Sequence, residues 1–168
     1  MLDKNDLRDV ILKECDICLH LFGKLPKGAE SYRPTPAQRS TLELTQYLSH
    51  CGESGIRALL DGNWSAWEVN SKRAATMTLA EFPAAMERQK RAIAGIFETL
   101  TPDQFSKQEA TMPAGEKLKL GRALLEGPVR WMTGYRMQLF LYAKAAGAKE
   151  IGTANCWMGI DWPKAGGA

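Results

Sequence analysis

The chain has 168 residues, which is the length of one ordinary domain, and 45% of them are apolar while 24% are charged. This balance is typical of a folded globular protein and argues against an intrinsically disordered one. The net charge of +3 is small, and Lys and Arg alternate with Asp and Glu, so there is no basic stripe of the kind that nucleic-acid-binding proteins carry.

Apolar runs are short throughout the sequence. The longest, residues 137–148, is interrupted by Gln138, Lys144 and Gly147, whereas a membrane-spanning helix needs about 20 consecutive apolar residues. The first residues are polar and lack the basic and apolar regions of a secretion signal. We therefore expect a single domain over residues 1–168, located in the cytoplasm, with neither nucleic acid nor membrane as a partner.

The first predicted helix covers about residues 4–24. Cys15 and Cys18 lie in its middle, so we interpret them as packing thiols rather than as a redox or metal-binding pair. Glu14 falls inside the apolar stripe, where a leucine would be usual. The stripe itself recurs at three- and four-residue steps, as on one face of an α-helix: Leu7, Val10, Ile11, Cys18, Leu21 and Leu25.

A loop with three prolines, residues 26–36, precedes a second predicted helix over about residues 37–62. Residues 63–78 have no clear period, and their length suits a long connection across one end of a helix bundle. A third helix should begin near Thr78, with Glu81 completing a capping box, and should end near residue 100. The second helix should turn five residues inward: Leu44, Leu48, Cys51, Gly55 and Leu59, with Tyr47 beside them.

Residues 101–117 read as a polar connection, and a fourth helix is predicted over about residues 118–146 with a kink at Pro128. The tail, residues 151–168, has no period, and either Trp157 or Trp162 is a candidate to fold back as a lid. No run of alternating β-branched residues bounded by turns occurs. The sequence thus predicts an all-α four-helix bundle with a long connection between the second and third helices.

Two segments resemble the DinB/YfiT-like superfamily. Residues 32–50 (YRPTPAQRSTLELTQYLSH) are similar to its loop entering helix two, and residues 135–147 (YRMQLFLYAKAAG) are similar to its helix-four motif. The resemblance implies a four-helix fold. In many members three histidines bind one divalent metal, and some members are thiol-dependent transferases. Carried onto this sequence, the three histidine positions fall on Tyr47, Trp131 and Tyr135, so the resemblance implies a divergent member without the metal triad.

Seven residues form the candidate ligand-binding site, because each projects from or beside an apolar stripe near those positions: Glu14, Tyr47, Cys51, Trp131, Tyr135, Gln138 and Tyr142. Two interpretations remain open. The side chains either form a satisfied polar network in the space of the former metal, or they line a small pocket for an organic ligand. We assign no catalytic residue, and no cofactor is expected.

The two histidines offer the remaining metal ligands. We expect His20 to be solvated and His50 to be a hydrogen-bonded residue at the flank of helix two. A relocated Ni or Zn site using His50, Cys51 and Glu14 is the weaker alternative.

Three functions follow from this sequence. The first is a metal-free helix bundle that binds a small ligand or a protein partner, and we expect it to be a homodimer. Such a protein is an enzyme only if catalytic activity persists without the three metal-binding histidines. The alternative is a metal-dependent thiol S-transferase or hydrolase with an altered metal site. The third is a purely structural bundle that assembles through exposed Trp64, Trp67 and Trp157.

Overall fold

The computed structural model describes residues 3–162 and shows a mainly helical protein. Residues 163–168, the end of the predicted tail, lie outside the described part. In chain order the elements are α1 (Lys4–Phe22), α2 (Thr41–Leu48), α3 (Cys51–Asp61), α4 (Ser65–Ala75), α5 (Phe82–Thr99), α6 (Pro102–Lys107), β1 (Glu109–Thr111), β2 (Lys117–Lys119), α7 (Leu120–Leu124), α8 (Arg130–Ala145) and α9 (Thr153–Met158). Between residues 3 and 162, no helix combines the length and apolarity needed to cross a membrane.

The core lies between α1, α5 and α8, with α2 and α3 closing the remaining side. Asp3 begins α1, because its carboxylate accepts hydrogen bonds from the backbone N–H groups of Asn5 (2.7 Å) and Asp6 (3.0 Å). The predicted stripe of α1 is largely confirmed, although Val10 is 42% exposed and belongs to the outer face. Four of its residues are completely buried: Leu7, Ile11, Cys18 and Leu21.

The second predicted helix, residues 37–62, is in fact the two helices α2 and α3. The side-chain oxygen of the buried Gln89 accepts hydrogen bonds from the backbone N–H groups of Gly52 (2.9 Å) and Glu53 (3.1 Å), at the start of α3. Its amide nitrogen donates to the carbonyl oxygen of Leu48 (2.9 Å), at the end of α2. One side chain of α5 therefore satisfies backbone groups that a broken helix leaves unpaired.

The connections contain more structure than the sequence predicts. Residues 63–78 include α4, which packs on α3, and residues 101–117 include α6 and most of an antiparallel hairpin in which Ala110 faces Leu118. This hairpin is the exception to the predicted all-α class. Each of its strands has three residues, of which only the central one is buried. The third predicted helix is confirmed as α5, preceded by one 3₁₀ turn at Leu79–Glu81.

The kink predicted at Pro128 is a π-helical turn, Leu125–Val129, between α7 and α8. Proline has no N–H to donate and its ring displaces the preceding turn, so a wider turn relieves the clash. Gly55 of α3 faces this turn. A methyl group on Gly55 would lie 2.7 Å from Cζ3 of Trp131 and 3.1 Å from Cγ of Pro128, so α3 and α8 approach closely only because this residue is a glycine.

The C-terminal helix α9 is fastened to the core by Arg136, which is 1% exposed. Its Nε donates to Oε2 of Glu14 (2.5 Å), and its Nη1 donates to the carbonyl oxygen of Cys156. The ring of Trp157 lies over the guanidinium, 4.8 Å from Cζ to the ring centroid, while Trp162 is 69% exposed. Trp157 is therefore a cover for a buried ion pair between α1 and α8.

We predict that Gly55→Ala lowers the free energy of unfolding by about 1–3 kcal/mol, because the added methyl group overpacks the contact with Trp131. Gly95→Ala is the matched control. Gly95 is exposed in the middle of α5 with open space around it, so the alanine should stabilise the helix by about 0.5–1 kcal/mol. Urea unfolding of both variants measures the difference, and equal effects would contradict the close approach of α3 and α8.

Candidate functional site

Five aromatic side chains meet where α2, α4 and α8 come together. The ring centroids of Tyr47 and Tyr135 are 4.5 Å apart, those of Tyr47 and Trp67 are 5.8 Å apart, and those of Trp67 and Trp131 are 5.9 Å apart. Trp64 continues the row, 5.4 Å from Trp67. We call these five residues the aromatic cluster. All of them remain partly exposed, so the aromatic cluster is a surface as well as a packing unit.

Local structure explains why these rings meet. Trp131 and Tyr135 are four residues apart on α8 and so project from the same face, and Tyr47 lies in the last turn of α2, which packs against α8. Trp67 reaches them from α4, which the sequence had assigned to an aperiodic connection. Most of the ring pairs are tilted or edge-to-face, the arrangement that aromatic quadrupoles favour by about 0.5–1.5 kcal/mol per pair.

His50 lies beneath the aromatic cluster and is only 4% exposed, so the prediction of a histidine at the helix flank was wrong. Its ring is 5.2 Å from that of Trp67, and its Nδ1 is 3.2 Å from the hydroxyl oxygen of Ser54. Burial lowers the pKa of His50 to about 4, and the positive charges of Arg73 and Arg39 act in the same direction. The imidazole is therefore neutral at pH 7.

Arg39 covers the outer side of the aromatic cluster. Its guanidinium carbon is 4.5 Å from the centroid of the Tyr47 ring and 5.3 Å from that of Tyr135, and its Nη1 donates to the Tyr135 hydroxyl at 3.4 Å. Cation–π contacts of this kind contribute about 0.5–1 kcal/mol at exposed sites. Arg39 was not among the predicted site residues, although it lies in the segment 32–50. Its position one residue before the cap of α2 was the available signal.

Gln138 and Tyr142, two of the predicted site residues, hold the backbone of Arg39. The amide of Gln138 donates to the Tyr142 hydroxyl (2.6 Å), which donates to the carbonyl oxygen of Arg39 (3.0 Å). The ring of Tyr142 is buried and meets Tyr32 edge-on, with 5.4 Å between the centroids. These two side chains fix the position of the loop that carries the guanidinium.

Cys51 is buried close to Tyr47, whereas Glu14 lies apart from the aromatic cluster. Burial raises the pKa of the Cys51 thiol to about 12, although the backbone N–H groups of Gly52 and Cys51 at the start of α3 act in the opposite direction. The thiol is therefore a neutral packing group at pH 7. Glu14 is engaged by Arg136 and lines a groove with Trp157 instead of facing the aromatic cluster. His20, which the sequence predicted to be solvated, is partly buried and contacts Nδ2 of Asn155 at 3.0 Å.

The comparisons with known proteins bear on the fold. No family model matches the chain. It is 25% identical to the uncharacterized protein YjoA of Bacillus subtilis over 152 residues. The aligned region covers 90% of this chain and 96% of YjoA. The crystal structure of a DinB-like protein, YjoA from B. subtilis, matches with a TM-score of 0.69 at 22% identity, over 88% of this chain and 96% of that one.

This chain has a DinB-like fold. The resemblance predicted from residues 32–50 and 135–147 is thereby confirmed at the level of the fold. No activity comes with the match, because the B. subtilis protein is itself described as uncharacterized.

The side chains at the three histidine positions of the DinB-like resemblance do not suit a transition metal. Burial, together with neighbouring Cys51 and Tyr135, raises the pKa of Tyr47 above its ordinary value, so its oxygen is a neutral phenol. Trp131 has no lone pair to offer a metal. Within residues 3–162, no group of three or more His, Cys, Asp and Glu side chains is arranged to hold a metal ion. A relocated site with His50, Cys51 and Glu14 is therefore not assembled.

The rings pack against one another and form a partly exposed surface, whereas one of the two interpretations of the sequence was a small pocket between the helices. Two clefts lie elsewhere. One of about 870 Å³ lies beside the C-terminal segment, between Lys24, Asn155 and Trp162, and one of about 710 Å³ lies between Asp9, Glu14 and Trp157. Molecules reaching the aromatic cluster must bind against its exposed faces.

We predict that His50 makes the protein less stable in acid. Because its pKa is lower in the folded state (about 4) than in the unfolded state (about 6.5), the unfolded chain binds more protons between these values. The free energy of unfolding should be fully supported above pH 6.5 and should fall by about 2 kcal/mol on lowering the pH to 4.5.

The measurement is urea unfolding at pH 7.5 and pH 4.5 for the natural protein and for His50→Gln, which cannot titrate. The variant should lack this part of the pH dependence. Equal pH dependence in both proteins would show that His50 is not the responsible group.

Proposed function

We propose that this protein is a metal-free DinB-like bundle that binds a small, flat organic molecule on the aromatic cluster. The observation that supports the proposal is the gathering of Tyr47, Trp131 and Tyr135 in one partly exposed patch together with Trp67. The first three occupy the positions where the resemblance would place metal-binding histidines. Ring faces on such a surface bind flat ligands by stacking and exclude water from them.

The network beneath the rings also supports binding. Fixed rings lose little side-chain entropy when a ligand arrives, because their conformations are already set. Tyr135 contacts Arg39 and Tyr47, and Trp67 contacts His50, so rotation of either ring would break existing contacts. A surface preorganised in this way is suited to a rigid ligand.

We predict that neutral 2-naphthamide binds to the aromatic cluster. In a ¹H–¹⁵N spectrum, the indole N–H signals of Trp67 and Trp131 should shift on titration while that of Trp157 stays in place. Tyr135→Leu should weaken binding about five- to tenfold, because one stacking ring is lost. Trp162→Leu is the matched control, since Trp162 is 69% exposed and lies outside the aromatic cluster. The proposal would be refuted if the indole N–H signals of all tryptophans shifted, or if Tyr135→Leu left the affinity for 2-naphthamide unchanged.

A metal-dependent thiol S-transferase or hydrolase remains the alternative function, and it needs a metal ligand set other than the residues at the triad positions. Stoichiometric Ni or Zn in purified protein, lost in His50→Ala, would favour the alternative. The third function, assembly through Trp64, Trp67 and Trp157, fits less well because Trp67 is packed among four other rings.

We also propose that the protein is a homodimer and that the outer face of α8 is the contact. Leu125 and Leu141 on this side are 43% and 54% exposed. Between them lies the exposed Gly134, which has open space around it, so no contact within residues 3–162 requires a glycine there. Such a glycine costs a helix about 1 kcal/mol relative to alanine, and a close helix–helix approach between two copies would account for it.

We predict that Leu141→Glu converts the dimer to a monomer in sedimentation equilibrium, because a carboxylate would be buried in the contact. The matched control is Val69→Glu, a change at a 65% exposed residue on α4. A natural protein that sediments as a monomer, or dimers that survive Leu141→Glu, would exclude this face.

A further inference from the structure

Arg39 differs from the other buried or loop arginines in having no carboxylate partner. Arg33, six residues earlier in the same loop, binds Glu43 at 3.0 Å, and Arg136 binds Glu14 at 2.5 Å. None of the ion pairs formed by residues 3–162 includes Arg39. Its guanidinium lies over the rings of Tyr47 and Tyr135, and the residue is exposed.

The backbone around Arg39 is held on both sides. Its carbonyl oxygen accepts a hydrogen bond from Tyr142 (3.0 Å), and the next residue, Ser40, caps α2. The N–H of Ser40 donates to Oε2 of Glu43 (2.6 Å), and the N–H of Glu43 donates back to the Ser40 hydroxyl (3.2 Å). The backbone of Arg39 is therefore held in place and its side chain is stacked on the rings. Binding of an anion to this exposed arginine would order little additional structure.

The charges near this site are positive. Arg39 and Arg73 both lower the pKa of His50, which places two guanidinium charges around one neutral imidazole. Arg73 is already engaged, because its Nη2 donates to Oδ1 of Asn70 at 2.9 Å. Arg39 is the guanidinium that an incoming group on the ring surface would meet.

We propose that the molecule bound by the aromatic cluster is a ring carboxylate, whose ring packs on Tyr135 and its neighbours while its carboxylate binds the guanidinium of Arg39. This inference rests on the proposed binding function. The planar fork of arginine matches the two oxygens of a carboxylate. Arg39 is exposed, its guanidinium carbon lies 4.5 Å from the centroid of the Tyr47 ring, and it forms no ion pair among residues 3–162. No proton or electron is transferred in this step, since the ligand is bound and not converted.

The test compares two probes with the same ring, 2-naphthoate and 2-naphthamide, by calorimetric titration at pH 7.5 and low salt. The natural protein should bind the carboxylate about tenfold more tightly than the amide. Arg39→Gln should bind the two probes about equally, because the group that distinguishes them is removed, and 0.5 M NaCl should reduce the preference in the natural protein because exposed charges are screened.

Arg33→Gln is the matched control, because it removes a positive charge from the same loop without touching the rings, and it should keep the preference. Arg39→Lys keeps the charge but loses the planar fork, so an intermediate preference is expected. Equal binding of both probes to the natural protein would overturn the carboxylate inference and leave ring binding intact. Failure of both probes to bind would remove the proposed function itself.

Discussion

The burial of one charge, the guanidinium of Arg136, constrains the arrangement of three helices. A charged group this deep in a protein is tolerated only when its hydrogen bonds are all satisfied, and loss of one partner costs about 3–5 kcal/mol. The partners are Glu14 on α1 and the Cys156 carbonyl on α9, with the Trp157 ring closing the outer side. The register of α8 against α1 and the docking of α9 follow from this requirement.

The same helix supplies the opposite side of the protein with the rings of the candidate site. Residues adjacent on α8 point about 100° apart, so Arg136 can reach α1 and α9 while Tyr135 faces α2. Fixing Arg136 therefore fixes the direction of Tyr135 as well. Gly55, which lets α3 approach Trp131, sets the depth at which these rings lie. The position of the aromatic cluster thus depends on the core contacts of Arg136 and Gly55.

The sequence predicted the features that follow from helical periodicity. It did not predict those that depend on contacts between residues far apart in the chain. The apolar faces of α1, α5 and α8, and the proximity of Tyr47, Trp131 and Tyr135, follow from helical spacing and from the DinB-like resemblance. The break between α2 and α3 depends on Gln89, which is 37 residues from Gly52, so no local pattern shows it. For the same reason Glu14 was grouped with the rings, because its partner is 122 residues away.

Arg136 and Arg39 differ in whether their charge is paired, and this difference limits which ligands the aromatic cluster can bind. Arg136 is neutralised by Glu14 and shielded by α9, so its charge hardly reaches the aromatic cluster. Arg39 is exposed and forms no ion pair among the described residues, so its positive charge lies at the ring surface. Since a stacked guanidinium binds anions through its edge and the rings bind ligands through their faces, the two parts favour a molecule that offers both a flat ring and an adjacent negative group. A cationic ring of the same size would gain cation–π attraction to the ring faces but would meet repulsion from the guanidinium of Arg39 beside them.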